Sequence, residues 1–298
     1  MLTDSFLDYL QYERNYSKET LRAYKEDLRE FVDFVKEKKE GTFVPEAVDA
    51  DIVRDWVVSL MDKGEKTTSV NRKLSSLKSF YKYLRKDGVV ETNPLRFITG
   101  LKVKKSLPYF VQEKDMATIL DSDDFDDKFE GVRDRLILEM LYETGMRRAE
   151  LVALKDADID FDTMQLRVTG KRNKQRIIPY GDRLKKMMKA YISLRDSEVE
   201  CHDLWFFVQQ NGEQITDSLV YKVVHQELKK IPTLSKCSPH VLRHSFATSM
   251  LNNGAELNSV KELLGHSSLA STAIYTHTTF EELKRMYHAH PRAQKEGG

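Results

Sequence analysis

The sequence predicts a mainly α protein with a small β-sheet confined to the second of two domains, an α+β architecture. Three observations predict it. Apolar residues recur at steps of three and four through most of the first 90 positions. One pair of alternating segments, joined by a polar basic turn, lies near position 170. At Asn93-Pro94 the helical pattern stops and an aperiodic stretch follows. The 298 residues suffice for two domains of ordinary size.

A short helix is expected near 3–14. Leu21, Tyr24, Leu28, Phe31, Val32 and Val35 form one apolar stripe of a helix near 18–38, because steps of three and four return to the same face. Ile52, Val53, Trp56, Val57 and Leu60 do so near 50–62, and Val70, Leu74, Leu77, Tyr81 and Leu84 near 68–86. On the last of these helices Arg72, Lys73, Lys78, Lys82, Arg85 and Lys86 fall largely off the stripe. One side packs, and the other is expected to face solvent or phosphate. Residues 96–108 carry no period and read as a linker between domains at 1–95 and 109–298.

In the second domain a helix near 129–144 is expected to end on Gly145, which takes the left-handed conformation without a Cβ clash. Met164, Leu166 and Val168 alternate with polar residues as a strand does, and Arg176-Ile177-Ile178-Pro179 read as its return. Thr169 to Lys174 form the hairpin tip. Helices are expected near 182–197 and 217–230, with a strand at Leu204–Val208 between them. A helix near 239–253 ends at Asn252-Asn253-Gly254. Short helical patterns near 256–264, 270–277 and 280–289 close the chain.

Hydrophobic residues make up 40% and charged residues 32%, so the chain is globular rather than disordered. No stretch approaches the roughly 18 apolar residues of a spanning helix. Met1 to Asp8 have no basic or apolar leader pattern. Cys201 and Cys237 are too few for a disulfide framework, and a reduced, cytoplasmic protein is expected. The net charge of +1 hides a gradient. Residues 1–62 carry a net −6, whereas residues 63–105 carry 12 basic side chains against 3 acidic ones. A charge run alone is a solvated helix face. The missing counter-charges instead suggest a face that meets an anionic polymer, with Lys73, Lys78 and Lys82 as phosphate contacts.

No Gly-x-x-x-x-Gly-Lys-Ser/Thr loop, Gly-x-Gly-x-x-Gly loop or Gly-x-Ser-x-Gly elbow is present, and no Cys spacing suggests zinc. Six of the eight histidines fall in 240–290, so a metal site must be weighed. His240 and His244, however, lack the Glu of a His-Glu-x-x-His pair, and no carboxylate stands close in sequence. A phosphate site is the better reading. His240 and Arg243 share a helical face, anchored by Leu242, Phe246 and Met250, and Arg147 follows the turn Thr144-Gly145-Met146. Convergent arginines and histidines are costly to bury unless they meet an anion, and a guanidinium fork suits phosphate oxygens.

These residues carry a resemblance. Tyr142-Glu143-Thr144-Gly145-Met146-Arg147-Arg148-Ala149-Glu150-Leu151 resembles the first signature of the tyrosine recombinases, the phage-integrase family. His240-Val241-Leu242-Arg243-His244-Ser245-Phe246-Ala247-Thr248 resembles the second. Leu263-Leu264-Gly265-His266-Ser267-Ser268 with Thr272-Ala273-Ile274-Tyr275-Thr276-His277 resembles the third, and Gly170-Lys171-Arg172-Asn173-Lys174 resembles the hairpin that presents the family's lysine. The resemblance spans the whole chain, and the ending His290-Pro291-Arg292-Ala293 is similar to the Xer branch. It implies a helical, SAM-like core-binding domain at 1–95 and a catalytic domain at 109–298 with a C-terminal assembly helix. It implies Tyr275 as nucleophile, and Arg147, Arg243 and His266 on the scissile phosphate. His240 would assist proton transfer, Lys171 would be the general acid, and Glu150 would support the site. Arg148 competes with Arg147 for its role, and the family spacing favours Arg147.

The implied partners are double-stranded DNA with paired inverted half-sites and a homotetramer, or a heterotetramer with a related recombinase. Phe280, Leu283, Met286 and Tyr287 stand at helical spacing for docking into a neighbour, or onto their own domain. No cofactor or metal is implied. Fixed cations can stabilise charge on the non-bridging oxygens, and a phosphotyrosine conserves the energy of the broken bond, so rejoining through a Holliday junction needs no ATP. A type IB topoisomerase-like relaxing enzyme shares this chemistry, an inactive DNA-binding module would keep the fold without it, and a metal-dependent nuclease stands further off.

Overall fold

Two units divide the chain, Met1–Ser106 and Leu107–Gly298. The computed structural model describes residues 2–103, 109–122, 124–170, 174–200, 204–265 and 287–293. Lys171, Cys201, His266, Tyr275, Phe280, Leu283 and Met286, and the helices expected at 270–277 and at the start of 280–289, lie outside them. Among the described residues no helix is long and apolar enough to cross a membrane.

The first unit is helical. Helix α1 (Leu2–Asp8) runs into a single π-helical turn, Tyr9–Glu13, so the helix expected at 3–14 is present with a widened end. Helices α2 (Lys18–Lys39), α3 (Ala50–Asp62) and α4 (Thr67–Lys86) follow. Their starts are chemically marked. Ser17 Oγ accepts the Thr20 N–H at 3.3 Å, and the Asp49 carboxylate accepts those of Asp51 and Ile52 at 3.0 and 2.8 Å. The stripes meet in one core where Phe31 packs edge-on to Trp56 at 4.9 Å and Phe6 to Phe80 at 5.4 Å. Each such buried ring contributes about 2–3 kcal/mol.

The basic face of α4 needs correction. Lys73 is buried, its ammonium held between Glu30 and Glu65. Arg72 pairs with the buried Asp27 at 2.5 Å, and Lys78 donates to the Ile98 carbonyl at 2.6 Å. Acidic residues of α2 therefore neutralise part of the excess that the sequence alone assigns to phosphate. Of the three lysines expected there, Lys82 is exposed. The start of the stretch read as linker is pinned to this unit, since the Asn71 amide bonds the backbone of Leu101 in both directions, at 2.7 and 2.9 Å.

In the second unit α5 (Glu113–Leu120) precedes α6 (Phe129–Thr144), whose Leu136, Ile137, Leu138, Met140 and Leu141 are all buried. From Leu136 to Thr144 every residue of this helix is buried, Glu139 and Glu143 included, so it is the centre of its domain. Around it lie α7 (Arg148–Val152), α8 (Asp182–Glu198), α9 (Asp217–Leu228), α10 (Pro239–Asn252) and α11 (Leu257–Leu264). The sheet is antiparallel in the order β1 (Ile159–Asp160), β2 (Gln165–Thr169), β3 (Gln175–Pro179), with Val168 opposite Arg176. The two-residue β1 carries too little pattern to be read from sequence. The strand expected at Leu204–Val208 is absent; only isolated bridges form, Lys155 with Trp205 and Val208 with Gln214. Phe206, Phe207 and Val208 are all buried, so this apolar run is core filling rather than one face of a ladder.

Residues 287–293 pack onto their own unit. Tyr287 and His290 are buried, and Tyr287 donates to Glu143 Oε2 at 3.0 Å. Arg292 pairs with Glu139 and Asp121. For Tyr287 the reading of a contact with a neighbour is corrected: its ring fills the core of its own domain. Burial, then Glu139, pushes Glu143 well above the usual carboxylate range.

Candidate active site

The turn after α6 builds the first wall. Gly145 takes φ +59°, and Thr144 Oγ1 accepts the Met146 N–H at 3.2 Å while donating to the Met140 carbonyl at 2.5 Å. A Cβ on Gly145 would meet Phe246 Cδ1 at 2.5 Å and Leu264 Cδ2 at 2.9 Å. Gly145→Ala therefore combines left-handed strain with overpacking, together about 2–4 kcal/mol. In a thermal melt the second unit should lose about 5–10 °C. An unchanged melting temperature would contradict this close approach.

The turn delivers Arg147 as the residue preceding α7. Glu150, in the first turn of that helix, reaches back to accept the Arg147 N–H at 2.8 Å, the acidic half of a capping box. The same carboxylate takes Arg147 Nη1 at 2.7 Å. It also takes both Arg176 amino groups, at 2.8 and 2.9 Å. Burial pushes Glu150 up, but the bonds from Arg176 and Arg147 outweigh it and hold the carboxylate at about 2. It is ionised throughout the physiological range. Arg147 alone of the pair enters the cluster; Arg148 turns away to Asp217 at 2.6 Å. The Arg147 side chain keeps 36% of its surface exposed, whereas Arg176 and Glu150 keep 6% and 3%.

Arg243 enters from α10. Its two amino groups donate to the Gly145 and Leu264 carbonyls at 2.5 Å each. Those oxygens end α6 and α11, the negative ends of both helix dipoles. Burial, then Arg147 and Arg176, pushes Arg243 down to about 9, so it is still a cation at neutral pH and gains from any anion brought beside it. Arg147 Nη2 bonds the Gly265 carbonyl at 3.3 Å. Arg176 Nε donates to the Leu263 carbonyl at 2.8 Å, so three arginines gather at the end of α11, just before His266 in sequence. His240 stands at the exposed start of α10, three residues before Arg243. Partial burial, then His244, Arg148, Arg243 and Arg147, pushes its ring below its ordinary value, so it is neutral at pH 7.

Of the six expected site residues, the described part of the fold brings Arg147 and Arg243 together, with His240 on the Arg243 helix. Arg176 is a member of the cluster that sequence reasoning passed over. The available signal was its register, since in a strand Arg176 must point the same way as the buried Ile178. Among the described residues no group of three or more His, Cys, Asp or Glu side chains could hold a metal ion.

Comparison with known proteins gives concordant matches. The "Phage integrase family" matches residues 109–282, and the "Phage integrase, N-terminal SAM-like domain" matches residues 3–88. The chain is 36% identical over 298 residues to the tyrosine recombinase XerC of Thermodesulfovibrio yellowstonii, covering 98% of this chain and 97% of that relative. It is 38% identical over 296 residues to XerC of Staphylococcus saprophyticus, covering 99% of each. Among solved structures, the XerH site-specific recombinase bound to palindromic difH substrate superimposes with a TM-score of 0.71 at 23% identity, over 96% of this chain and 84% of that one. This last match shows a shared fold.

Proposed function

This chain belongs to the phage integrase family and is a tyrosine site-specific recombinase, and from that premise we propose which residues carry out its strand transfer. Tyr275 is the nucleophile. Its oxygen bonds the scissile phosphorus as the bond from phosphorus to the 5′-oxygen breaks, leaving a 3′-phosphotyrosine and a free 5′-hydroxyl. Arg147, Arg243 and His266 hold the non-bridging oxygens, where negative charge grows during attack. His240, neutral at pH 7, receives the tyrosine proton, and Lys171 gives one to the departing oxygen.

The observation that supports this reading is the approach of Arg147 and Arg243 to the Leu264 and Gly265 carbonyls, beside the entry to His266. It gathers the cationic donors at one point. The phosphotyrosine retains the energy of the broken bond, so transfer to another 5′-hydroxyl proceeds through a Holliday junction without ATP or metal. The substrate is a duplex with inverted half-sites. Four subunits, identical or shared with a related recombinase, assemble on two such sites in the cytoplasm. The 280–286 segment joins neighbours.

The test uses a duplex recovered by the protein from fragmented genomic DNA. Two copies, placed in direct repeat on a supercoiled plasmid, should yield the intervening segment as a circle in excess EDTA, and crosslinking should trap four protomers. Cleavage that required added divalent metal, or relaxation without exchange on a plasmid lacking the site, would overturn the proposal.

A further inference from the structure

Glu150 is the point where three parts of the candidate site meet. Arg147 reaches it from the start of α7 and Arg176 from β3. The base of the hairpin that carries Lys171 also lies against it: Gly170 donates to the Lys174 carbonyl at 2.7 Å, and a Cβ on Gly170 would stand 3.3 Å from Glu150 Oε1. Arg176 also extends from a strand to the end of α11, because its Nε donates to the Leu263 carbonyl at 2.8 Å, near the Gly265 carbonyl that Arg147 takes at 3.3 Å. One guanidinium therefore ties the hairpin strand to the carboxylate behind Arg147 and to the end of α11 that leads into His266.

Charge makes the tie more than mechanical. Glu150 is a single negative charge shared by two arginines. With Arg176 present, Arg147, Arg176, Arg243 and Glu150 carry a formal +2, and Arg147 is only half satisfied. Without Arg176 the sum is +1, and the whole carboxylate falls on Arg147. A guanidinium already neutralised by its neighbour stabilises a phosphate oxygen less than one that is not.

We propose that Arg176 is a positioning residue for strand cleavage: from its buried place it takes up half of the Glu150 charge, leaves Arg147 free for the scissile phosphate, and sets the base of the hairpin at Gly170 and the end of α11 in one frame. The proposal rests on the assignment of Arg147 and Lys171 above. Arg176 touches no DNA in it; its side chain is 6% exposed.

The experiment measures the single-turnover rate of covalent adduct formation from pH 5 to 9 for wild type, Arg176→Met and Arg176→Lys. The probe is a nicked duplex carrying the site recovered from genomic DNA, and melting and duplex affinity are recorded alongside. In wild type, Glu150 has Arg147, Arg176 and the nearby Arg243 facing it and stays ionised throughout this range. Arg176→Met removes two charge-assisted bonds while burial remains, so Glu150 takes up a proton as the pH falls.

The expected result is binding within about threefold of wild type, and an adduct roughly 100-fold slower at neutral pH, with the ratio to wild type at each pH narrowing as the pH falls, because Glu150 protonates in the variant and no longer neutralises Arg147. Arg176→Lys, which keeps the charge but cannot span Glu150 and the Leu263 carbonyl together, should recover about tenfold, with a ratio to wild type that changes less with pH. If Arg176→Met does not melt cooperatively, Arg176→Lys is read alone, and it should be about tenfold slower than wild type with a ratio that still narrows toward acid pH. Wild-type rates in the variants, or slower rates with an unchanged pH profile, would overturn the positioning role. Wild-type protein that forms no adduct would instead overturn the recombination chemistry on which the role rests.

Discussion

Tyr275→Phe should bind its duplex as wild type does and form no covalent adduct. The substitution removes one oxygen and leaves the ring, taking away only the atom proposed to bond the phosphorus. The arginine cluster lies elsewhere in the chain and is unchanged. Covalent catalysis lost with its nucleophile costs about 10⁴-fold or more, which on a nicked duplex reads as an absent shifted band. Affinity measured by gel shift should stay within about twofold, since one hydroxyl among many phosphate contacts contributes little. Adduct formation by the variant would show that another residue is the nucleophile.

Lys171→Ala should cleave ordinary DNA about 10³-fold more slowly, the usual scale for a lost general acid. The same variant should cleave a duplex with a bridging 5′-sulfur nearly as fast as wild type. A 5′-alkoxide leaves poorly without a proton, whereas a thiolate resembling that of Cys, with a pKa of about 8.5, needs none. A lysine that only contacted phosphate would slow both substrates alike, because charge on the non-bridging oxygens develops in either reaction. Equal defects would therefore move the acid role to a histidine or to Lys174.

What the sequence discloses here follows the range of each interaction. Helices α2, α3 and α4 are legible because their apolar stripes repeat within one turn, and Gly145 is legible because its positive φ is a local demand. The facing of α6 is not, since its second half is buried on all sides, polar residues included, and offers no stripe. Long-range pairs leave no local trace. Arg176 meets Glu150 from 26 residues away, Arg243 meets Gly145 from 98, and Arg292 meets Glu139 from 153. Lys73 is the instructive miss. Its spacing on α4 fits an outward phosphate contact, yet Glu30 on the neighbouring helix turns it inward. The charge count was right, and the direction of the charge depended on a partner that only the fold supplies. The contact between Arg147 and Glu150 is legible for the opposite reason, because the turn, Arg147 and Glu150 are neighbours in sequence as well as in space.

The most direct measurement is the site of attachment. Wild-type protein is incubated with the nicked duplex in excess EDTA, the trapped adduct is digested with nuclease and trypsin, and the nucleotide-bearing peptide is sequenced by mass spectrometry. The account predicts one modified residue, Tyr275, linked to a 3′-phosphate and formed at the same rate with or without chelator. A nucleotide on any other side chain, or cleaved DNA with no attached peptide, would contradict it.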